Sequence, residues 1–279
     1  MKLCKPTSAD RVINDALGIR WDNWDAPAHL PYSQRAMNTF WPTAVIEAPP
    51  KPIALEIAAD ALDIRAIHCL EPGTDRELAL PDLLSWRLHN DALLVMQGNR
   101  VIHESYRNGF LPGDKHVVHS TAKSLTTLLI AIAIKEGLVD PDALITTYLA
   151  EFSDLDAWSD ITVQHVLDMR AGLAYDEHYD DPDSVCWRYF RAAGYYPPKE
   201  DTHRGYVDWV RNEMASSSTE AGTVFNYASP LTNALGLVAQ AVYGQPVAEL
   251  LEAKIYRHIG AEHDAWLNLD STGVAVTEG

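Results

Sequence analysis

A serine and a lysine stand three residues apart at the start of an apolar stretch, which reads HSTAKSLTTLLIAIAIKEGLVD over residues 119–140. Residues three apart on a helix share one face, so Lys123 can reach the hydroxyl of Ser120. A serine hydroxyl becomes a useful nucleophile once a base removes its proton, and a neutral lysine can be that base. The N-terminus of a helix also directs backbone N–H groups outward, where they can stabilise an oxyanion.

The Ser-x-x-Lys pattern by itself is a weak signal, because it is common on solvated helix faces. Here the residues after Lys123 are apolar on every side, which predicts a central helix. His119 precedes the serine directly, and adjacent residues on a helix do not face each other. We therefore take Ser120 and Lys123 as candidate catalytic residues and His119 as structural.

The elements around this helix are predicted from periodicity and turn residues. Residues 91–109, DALLVMQGNRVIHESYRNG, form two short strands around a Gly-Asn turn, which is typical of a hairpin. Gly137 fits the position after the helix end. Asp140 and Pro141 predict the start of a second helix. Further helices are predicted in ITVQHVLDMRAGL, in GYVDWVRNEM, in LTNALGLVAQAVYG and in PVAELLEAKIYRHIG, which ends at Gly260.

Strands come first and helices dominate the middle of the chain, which indicates an α+β fold rather than an alternating α/β fold. Residues 1–80 are rich in Trp and Pro without a steady period, and we interpret them as an irregular N-terminal arm. The main domain then spans residues 81–279. Residues 174–204 are aromatic, acidic and loop-like, and no strand is evident after Asp264.

The composition narrows the class of protein. The 279 residues are 47% hydrophobic, enough for a substantial core, and the net charge of −17 argues against nucleic acid or an anionic membrane as a partner. Cys4, Cys69 and Cys186 are widely spaced, which fits a reducing compartment. The N-terminus has no secretory pattern, and the apolar run 125–134 is too short to span a bilayer. We expect a cytoplasmic protein with no membrane partner.

Three segments in order resemble the serine β-lactamase and penicillin-binding-protein superfamily: HSTAKSLTTLLIAIAIKEGLVDPDALITTYL, ITVQHVLDMRAGLAYDE, and the stretch from EAGTVFNYASP to GAEHDA. The sequence is most similar to class C β-lactamase-like esterases and amidases, especially the 6-aminohexanoate-dimer hydrolases, over about residues 90–279. The resemblance implies a β-lactamase-like fold, in which an antiparallel sheet packs against a helical region with the site between them. No dinucleotide-binding or P-loop motif appears, and we expect no cofactor and no metal.

The resemblance also assigns roles by position. Ser120 matches the acylated nucleophile, Lys123 its base partner, and Tyr227 in the sequence Tyr-Ala-Ser the tyrosine that shares the proton transfer. A tyrosine beside a cationic lysine has a lowered pKa and can relay a proton to a leaving group. The alternative for Tyr227 is a core tyrosine with a satisfied hydroxyl. Ser229 stands where β-lactamases usually carry the Asn that holds a lactam side chain, so the resemblance does not extend to lactam hydrolysis.

The acidic segment AYDEHYDDPDS, residues 174–184, has three interpretations. A metal site is one, but no zinc or EF-hand spacing fits. A solvated acidic loop is the second. In the third, which the resemblance implies, the loop borders the mouth of the site. Tyr175, Tyr179 and Ser229 are then the substrate-binding candidates.

Two functions follow. The first is a serine hydrolase that cleaves a small amide or ester, with linear aminohexanoate-type amides as the leading substrate, through an acyl-enzyme on Ser120. The second is a truncated, non-catalytic binding protein of the same fold. The sequence is compatible with a homodimer but does not predict one.

The last motif of the family, Lys-Thr-Gly or His-x-Gly, has no match after Asp264. We therefore expect the closing strands, and the oxyanion N–H donor that they supply, to be missing.

This expectation can be tested by extending the chain with the C-terminal strands of a similar hydrolase. Loss of one oxyanion donor typically lowers turnover by about 10² to 10³. The 279-residue chain should be slower than the extended chain by that factor, and an unpaired strand edge should make it prone to aggregate. A short chain that is monomeric, unfolds cooperatively and turns over as fast as the extended chain would contradict the expectation.

Overall fold

The computed structural model describes all residues, 1–279. The chain forms two compact units. The larger unit comprises Met1–Pro50 and His116–Gly279, and the smaller unit is Lys51–Lys115. The predicted boundary at residue 80 therefore falls inside the smaller unit.

No helix is both long enough and apolar enough to cross a membrane. The strands are β1 (Leu3–Cys4), β2 (Thr43–Ile46), β3 (Glu56–Ile57), β4 (His68–Leu70), β5 (Glu77–Ala79), β6 (Ala92–Gln97), β7 (Arg100–Tyr106) and β8 (Ala265–Asn268). The helices are α1 (Ser8–Ala16), α2 (Leu30–Ser33), α3 (Leu80–Asp82), α4 (Ala122–Lys135), α5 (Val163–Leu167), α6 (Val185–Ala193), α7 (Gly205–Glu213), α8 (Pro230–Tyr243), α9 (Val247–Leu251) and α10 (Arg257–Ile259).

An antiparallel sheet of order β1-β2-β8 lies in the larger unit. Ala44 and Ile46 of β2 and Leu267 of β8 belong to the same buried core as the helices. Two predictions are wrong here: the N-terminal segment is not wholly irregular, and a strand does follow Asp264. Both strands have only four residues, too few for an alternating pattern to stand out, and each depends on pairing with the other from far along the chain.

The core of the larger unit contains two long apolar helices. Every residue of α8 from Pro230 to Ala239 is buried. Helix α4 buries Leu129, Ile130 and Ala133, but Leu128 is 46% exposed. The predicted helix therefore does pack into the core, but with one face exposed, because an apolar composition does not by itself bury all faces of a helix.

Most of the other predicted helices are confirmed. Helix α7, helix α8 and the helical stretch from α9 to α10 occupy the predicted sequences, and Gly137 and Gly260 follow their helices with positive φ. The helix predicted at Asp140 is wrong. That segment forms only the short 3₁₀ turns Ile145–Thr147 and Ala150–Phe152, because the N–H of Ile145 donates to the carbonyl of Ile161 instead.

Helix α6 lies in the segment that was predicted to be a loop. The Ser184 hydroxyl accepts the Trp187 N–H at its start, and Gly194 ends it in the left-handed conformation. Cys186, Tyr189 and Ala193 share the buried face. The surrounding acidic and aromatic residues masked this short amphipathic pattern, so the loop prediction is corrected over these nine residues.

The smaller unit contains the predicted hairpin. Strands β6 and β7 pair antiparallel across the turn at Gly98-Asn99, where Gly98 has φ +58°. Strand β3 pairs with β7 in parallel, and β4 pairs with β5.

Gly236 of α8 permits the close approach of Thr277 to the helix within the larger unit. A Cβ at this position would lie 2.9 Å from Thr277 Cγ2. The Thr277 hydroxyl is fixed by the carbonyl of Thr232 and by Asn233 Oδ1, so its side chain cannot rotate away freely.

We expect Gly236→Ala to destabilise the protein by about 1–3 kcal/mol through overpacking, which outweighs a gain of about 1 kcal/mol in helix propensity. Thermal unfolding should show a melting temperature lower by a few degrees. Thr277→Ser removes the opposing methyl group and should restore part of the loss in the double variant. A Gly236→Ala variant as stable as the parent chain would show that the segment around Thr277 can shift to accommodate the methyl group without loss of stability.

Candidate active site

Ser120 lies in a 3₁₀ turn, His119–Thr121, that leads into α4. His119 has φ +44°, in the left-handed region that non-glycine residues seldom adopt and that is over-represented at functional sites. Its Nε2 lies 3.0 Å from Gln34 Oε1, and burial lowers its pKa. This arrangement fits the structural role assigned to His119 and leaves the Ser120 side chain exposed.

Lys123 lies one turn further along and is buried. Its Nζ is 2.8 Å from Ser120 Oγ, as the spacing of the two residues predicts. Nζ also donates to the backbone carbonyl of Glu278, again at 2.8 Å. The amine is therefore held between the serine hydroxyl and a carbonyl that can only accept a hydrogen bond.

Tyr227 completes a three-residue cluster. Its hydroxyl donates to Ser120 Oγ at 2.9 Å, and its ring centroid lies 5.2 Å from Lys123 Nζ. The residue is 37% exposed, so its hydroxyl faces the serine rather than the core. Ser120 Oγ thus has two titratable groups within hydrogen-bond distance, as general acid–base catalysis at a serine requires.

The surroundings of Tyr227 favour its phenolate form. Partial burial opposes ionisation, but the side chains of Lys123, Ser120 and Ser229 outweigh it, so the pKa of Tyr227 lies below its ordinary value. A hydroxyl with a lowered pKa releases its proton more readily at neutral pH.

Two anchors fix the backbone on either side of Tyr227. On the N-terminal side, Asn226 Nδ2 donates to the Tyr175 carbonyl at 2.8 Å, and the Asn226 N–H donates to the Met169 carbonyl, also at 2.8 Å. On the C-terminal side, the N–H of Ser229 donates to Glu177 Oε1 at 2.9 Å. The acidic segment 174–184 therefore holds the tyrosine in place, a role that its sequence did not indicate.

The three substrate-binding candidates lie in different environments. Tyr179 is 59% exposed, whereas Tyr175 and Ser229 are each only 4% exposed. The Tyr175 ring packs edge-on against Tyr189 and Trp209, inside the core. Substrate contact by these residues stays a prediction, and exposure favours Tyr179 among the three. No group of His, Cys, Asp and Glu side chains in the chain is placed to hold a metal ion.

Sequence reasoning missed Glu278, whose carboxylate is buried beside Lys123. It belongs to no recognised motif, and 155 residues separate it from Lys123. Glu278 is distinguished only by being a buried acidic residue, and the sequence around a single Glu does not show whether that Glu is buried.

Comparison with known proteins shows where this fold and cluster belong. Residues 85–277 match the Beta-lactamase family, and the chain is a member of that family. The β-lactamase-like α+β fold predicted from the sequence is thereby confirmed.

Two relatives are more specific. The chain is 28% identical over 263 residues to the 6-aminohexanoate-dimer hydrolase of Paenarthrobacter ureafaciens, an alignment that covers 92% of this chain and 62% of that protein. A solved structure described as a putative 6-aminohexanoate-dimer hydrolase from Bacillus anthracis superposes with a TM-score of 0.82 at 22% identity, covering 98% of this chain and 68% of the other. The predicted resemblance to this group of hydrolases is confirmed, and the chain spans less than two thirds of the curated relative.

Tyr227→Phe tests the hydroxyl alone, because the ring and its packing are kept. We expect turnover of an ester substrate to fall by about 10² or more through loss of proton transfer, with the melting temperature nearly unchanged. Steady-state kinetics and thermal unfolding measure the two quantities separately. Tyr32→Phe is the control for removal of a tyrosine hydroxyl elsewhere. Retained turnover with a lowered melting temperature would instead make Tyr227 a structural residue.

Proposed function

We propose that this protein is a serine hydrolase that cleaves an amide or ester bond through an acyl-enzyme on Ser120. The observation that carries the proposal is the position of Ser120 Oγ, 2.8 Å from Lys123 Nζ and 2.9 Å from the Tyr227 hydroxyl. Membership of the Beta-lactamase family supports it, as does the name of the curated relative.

The geometry suits a two-step reaction. A neutral Lys123 amine uses one N–H for the Glu278 carbonyl and turns its lone pair to Ser120 Oγ. It removes the hydroxyl proton as Oγ bonds to the substrate carbonyl carbon and the carbonyl oxygen becomes an oxyanion. When the oxyanion collapses, the bond to the leaving group breaks, and the proton that Lys123 took passes through Tyr227 to the departing nitrogen or oxygen. Water then gives a proton to Lys123 as its oxygen bonds to the acyl carbon. The bond from that carbon to Ser120 Oγ breaks, the carboxylic acid leaves, and the proton held by Lys123 returns to Oγ.

The oxyanion needs hydrogen-bond donors that are in place before it forms. We assign one to the backbone N–H of Ser120, which lies in the turn at the start of α4. The proposal names this first donor only.

The proposed substrate is a linear amide or ester of a small carboxylic acid, with aminohexanoate oligomers as the first to test. The similarity to a 6-aminohexanoate-dimer hydrolase supports the amide. The exposed rings of Tyr179, Phe225 and Tyr227 offer apolar surface for an aliphatic chain. A cytoplasmic location belongs to the same proposal and is supported by the wide spacing of the three cysteines.

The alternative function is binding without turnover, as in a non-catalytic member of the fold. A binding protein would retain the same fold but would not need a lysine amine against a serine hydroxyl. Covalent labelling separates the two, because only an activated serine reacts with an electrophile.

A fluorophosphonate probe should label Ser120, and mass spectrometry should locate the adduct there. Ser120→Ala should abolish labelling, and Lys123→Ala should slow it by about 10² to 10⁴ through loss of the base. Ser124→Ala is the matched control, because Ser124 is an exposed serine on the same helix and should leave labelling unchanged. An adduct on another residue, or unchanged labelling of Lys123→Ala, would overturn the proposed function.

A further inference from the structure

The Glu278 carboxylate lies directly behind the proposed base. Its Oε1 accepts hydrogen bonds from the Tyr189 hydroxyl at 2.8 Å and from the Tyr195 hydroxyl at 3.0 Å. Its Oε2 lies 3.9 Å from Lys123 Nζ, and the backbone carbonyl of the same residue accepts from that Nζ at 2.8 Å. Glu278 therefore interacts with Lys123 in two ways, through its backbone carbonyl, which is a fixed dipole, and through its carboxylate, which can titrate.

The segment that carries Glu278 is held rigidly. The N–H of Thr277 donates to Asn233 Oδ1 at 2.7 Å, and Asn233 Nδ2 donates to the Tyr189 hydroxyl at 2.6 Å. These bonds connect α8, α6 and the segment 277–278 inside the core. Because every group in the chain of bonds is buried, the carboxylate cannot swing out to water.

A buried carboxylate is costly unless it is paired, and two tyrosine hydroxyls satisfy only one of its oxygens. The other oxygen faces the only cationic group near it, Lys123. The tyrosines alone would be satisfied equally well by an uncharged amide. The negative charge of Glu278 is therefore explained by its proximity to Lys123 and not by its hydrogen bonds to the two tyrosines.

We propose that Glu278 is the counter-ion and positioning residue of Lys123, and that its charge sets the pH range in which the lysine amine can take the proton of Ser120. This inference rests on the proposed function for its catalytic consequence. Its electrostatic part, the coupling of two side chains, can be measured without any turnover.

Other titratable groups surround Lys123 and Glu278, and burial is the main cause of the pKa shift of most of them. Burial raises the pKa of Glu278, while Lys123 and the two tyrosine hydroxyls favour its charged form. Ser120, Tyr227 and His119 are the other polar groups that interact with the lysine. The groups that face Glu278 are Lys123 from α4, Tyr189 and Cys186 from α6, Tyr195 after it, and Tyr175 and Glu177 from the preceding segment.

The sign of the effect follows from charge. A negative carboxylate favours the protonated lysine, so its removal lets the amine lose its proton at lower pH. Glu278→Gln removes the charge but keeps an amide oxygen that can accept from both tyrosines, so the fold should be retained. An opposite charge at this distance typically moves a titration by about one to three pH units.

The experiment is a titration of Lys123 by NMR of ¹³C-labelled lysine in the 279-residue chain, with the resonance assigned by its loss in Lys123→Met. In Glu278→Gln the midpoint should fall by about one pH unit or more. The rising limb of the rate against pH should move down with it. The plateau of kcat should drop and KM should change little, because the base is weaker and less firmly placed.

Two variants separate charge from structure. Glu278→Asp keeps the charge, so it should keep the midpoint while lowering kcat through the shorter reach. Glu71→Gln removes a carboxylate of equal burial, with side-chain exposure of 8% against 7% for Glu278, from a different ion-pair cluster. It should change neither the midpoint nor the rate profile.

Each result has a distinct meaning. An unchanged Lys123 midpoint in Glu278→Gln overturns the inference even if Ser120 is active, since a purely structural role predicts a lower melting temperature only. A shifted midpoint together with no labelling of Ser120 in the parent chain supports the pairing and overturns the proposed function. A midpoint that shifts equally in Glu278→Asp would assign the effect to packing rather than charge and would also overturn the inference.

Discussion

The buried amine of Lys123 is the interaction on which the rest of the site depends. An amine removed from water needs hydrogen-bond partners within the protein. Lys123 Nζ has two, the Ser120 hydroxyl and the backbone carbonyl of Glu278, both at 2.8 Å. Ser120 and Lys123 come from one helical turn, but the carbonyl of Glu278 arrives from a distant part of the chain. The site forms only when the core brings α4 and the segment 277–278 together.

That core is organised around α8. The helix is buried on all sides along its first ten residues, its start carries Tyr227 toward Ser120, and its Gly236 admits Thr277 at a distance that a methyl group would not allow. Asn233 of the same helix then fixes Thr277 and Tyr189. One apolar helix therefore sets the positions of the proposed proton relay, the lysine carbonyl partner and the buried carboxylate.

The acidic segment between α5 and α6 illustrates how a surface-like sequence can have a structural function. Glu177 accepts the N–H of Ser229 and the hydroxyl of Tyr179, so its charge is used to hold the residues that follow Tyr227. An exposed acidic loop and an anchoring loop have the same composition. They differ only in which backbone N–H groups lie within reach, and these are supplied by other elements.

The sequence by itself determined what depends on neighbours within one or two turns. The contact of Ser120 with Lys123, the hairpin at Gly98-Asn99, helix α8 and the glycine ends of helices all follow from spacing and local conformation. The tertiary structure decided what depends on distant partners: the pairing of β2 with β8, and the approach of Tyr227 and Glu278, which lie 107 and 155 residues from Ser120 and Lys123. The physical reason is that short-range periodicity encodes which face of an element is apolar, whereas burial of a lone carboxylate or a four-residue strand is set by side chains that no local pattern records.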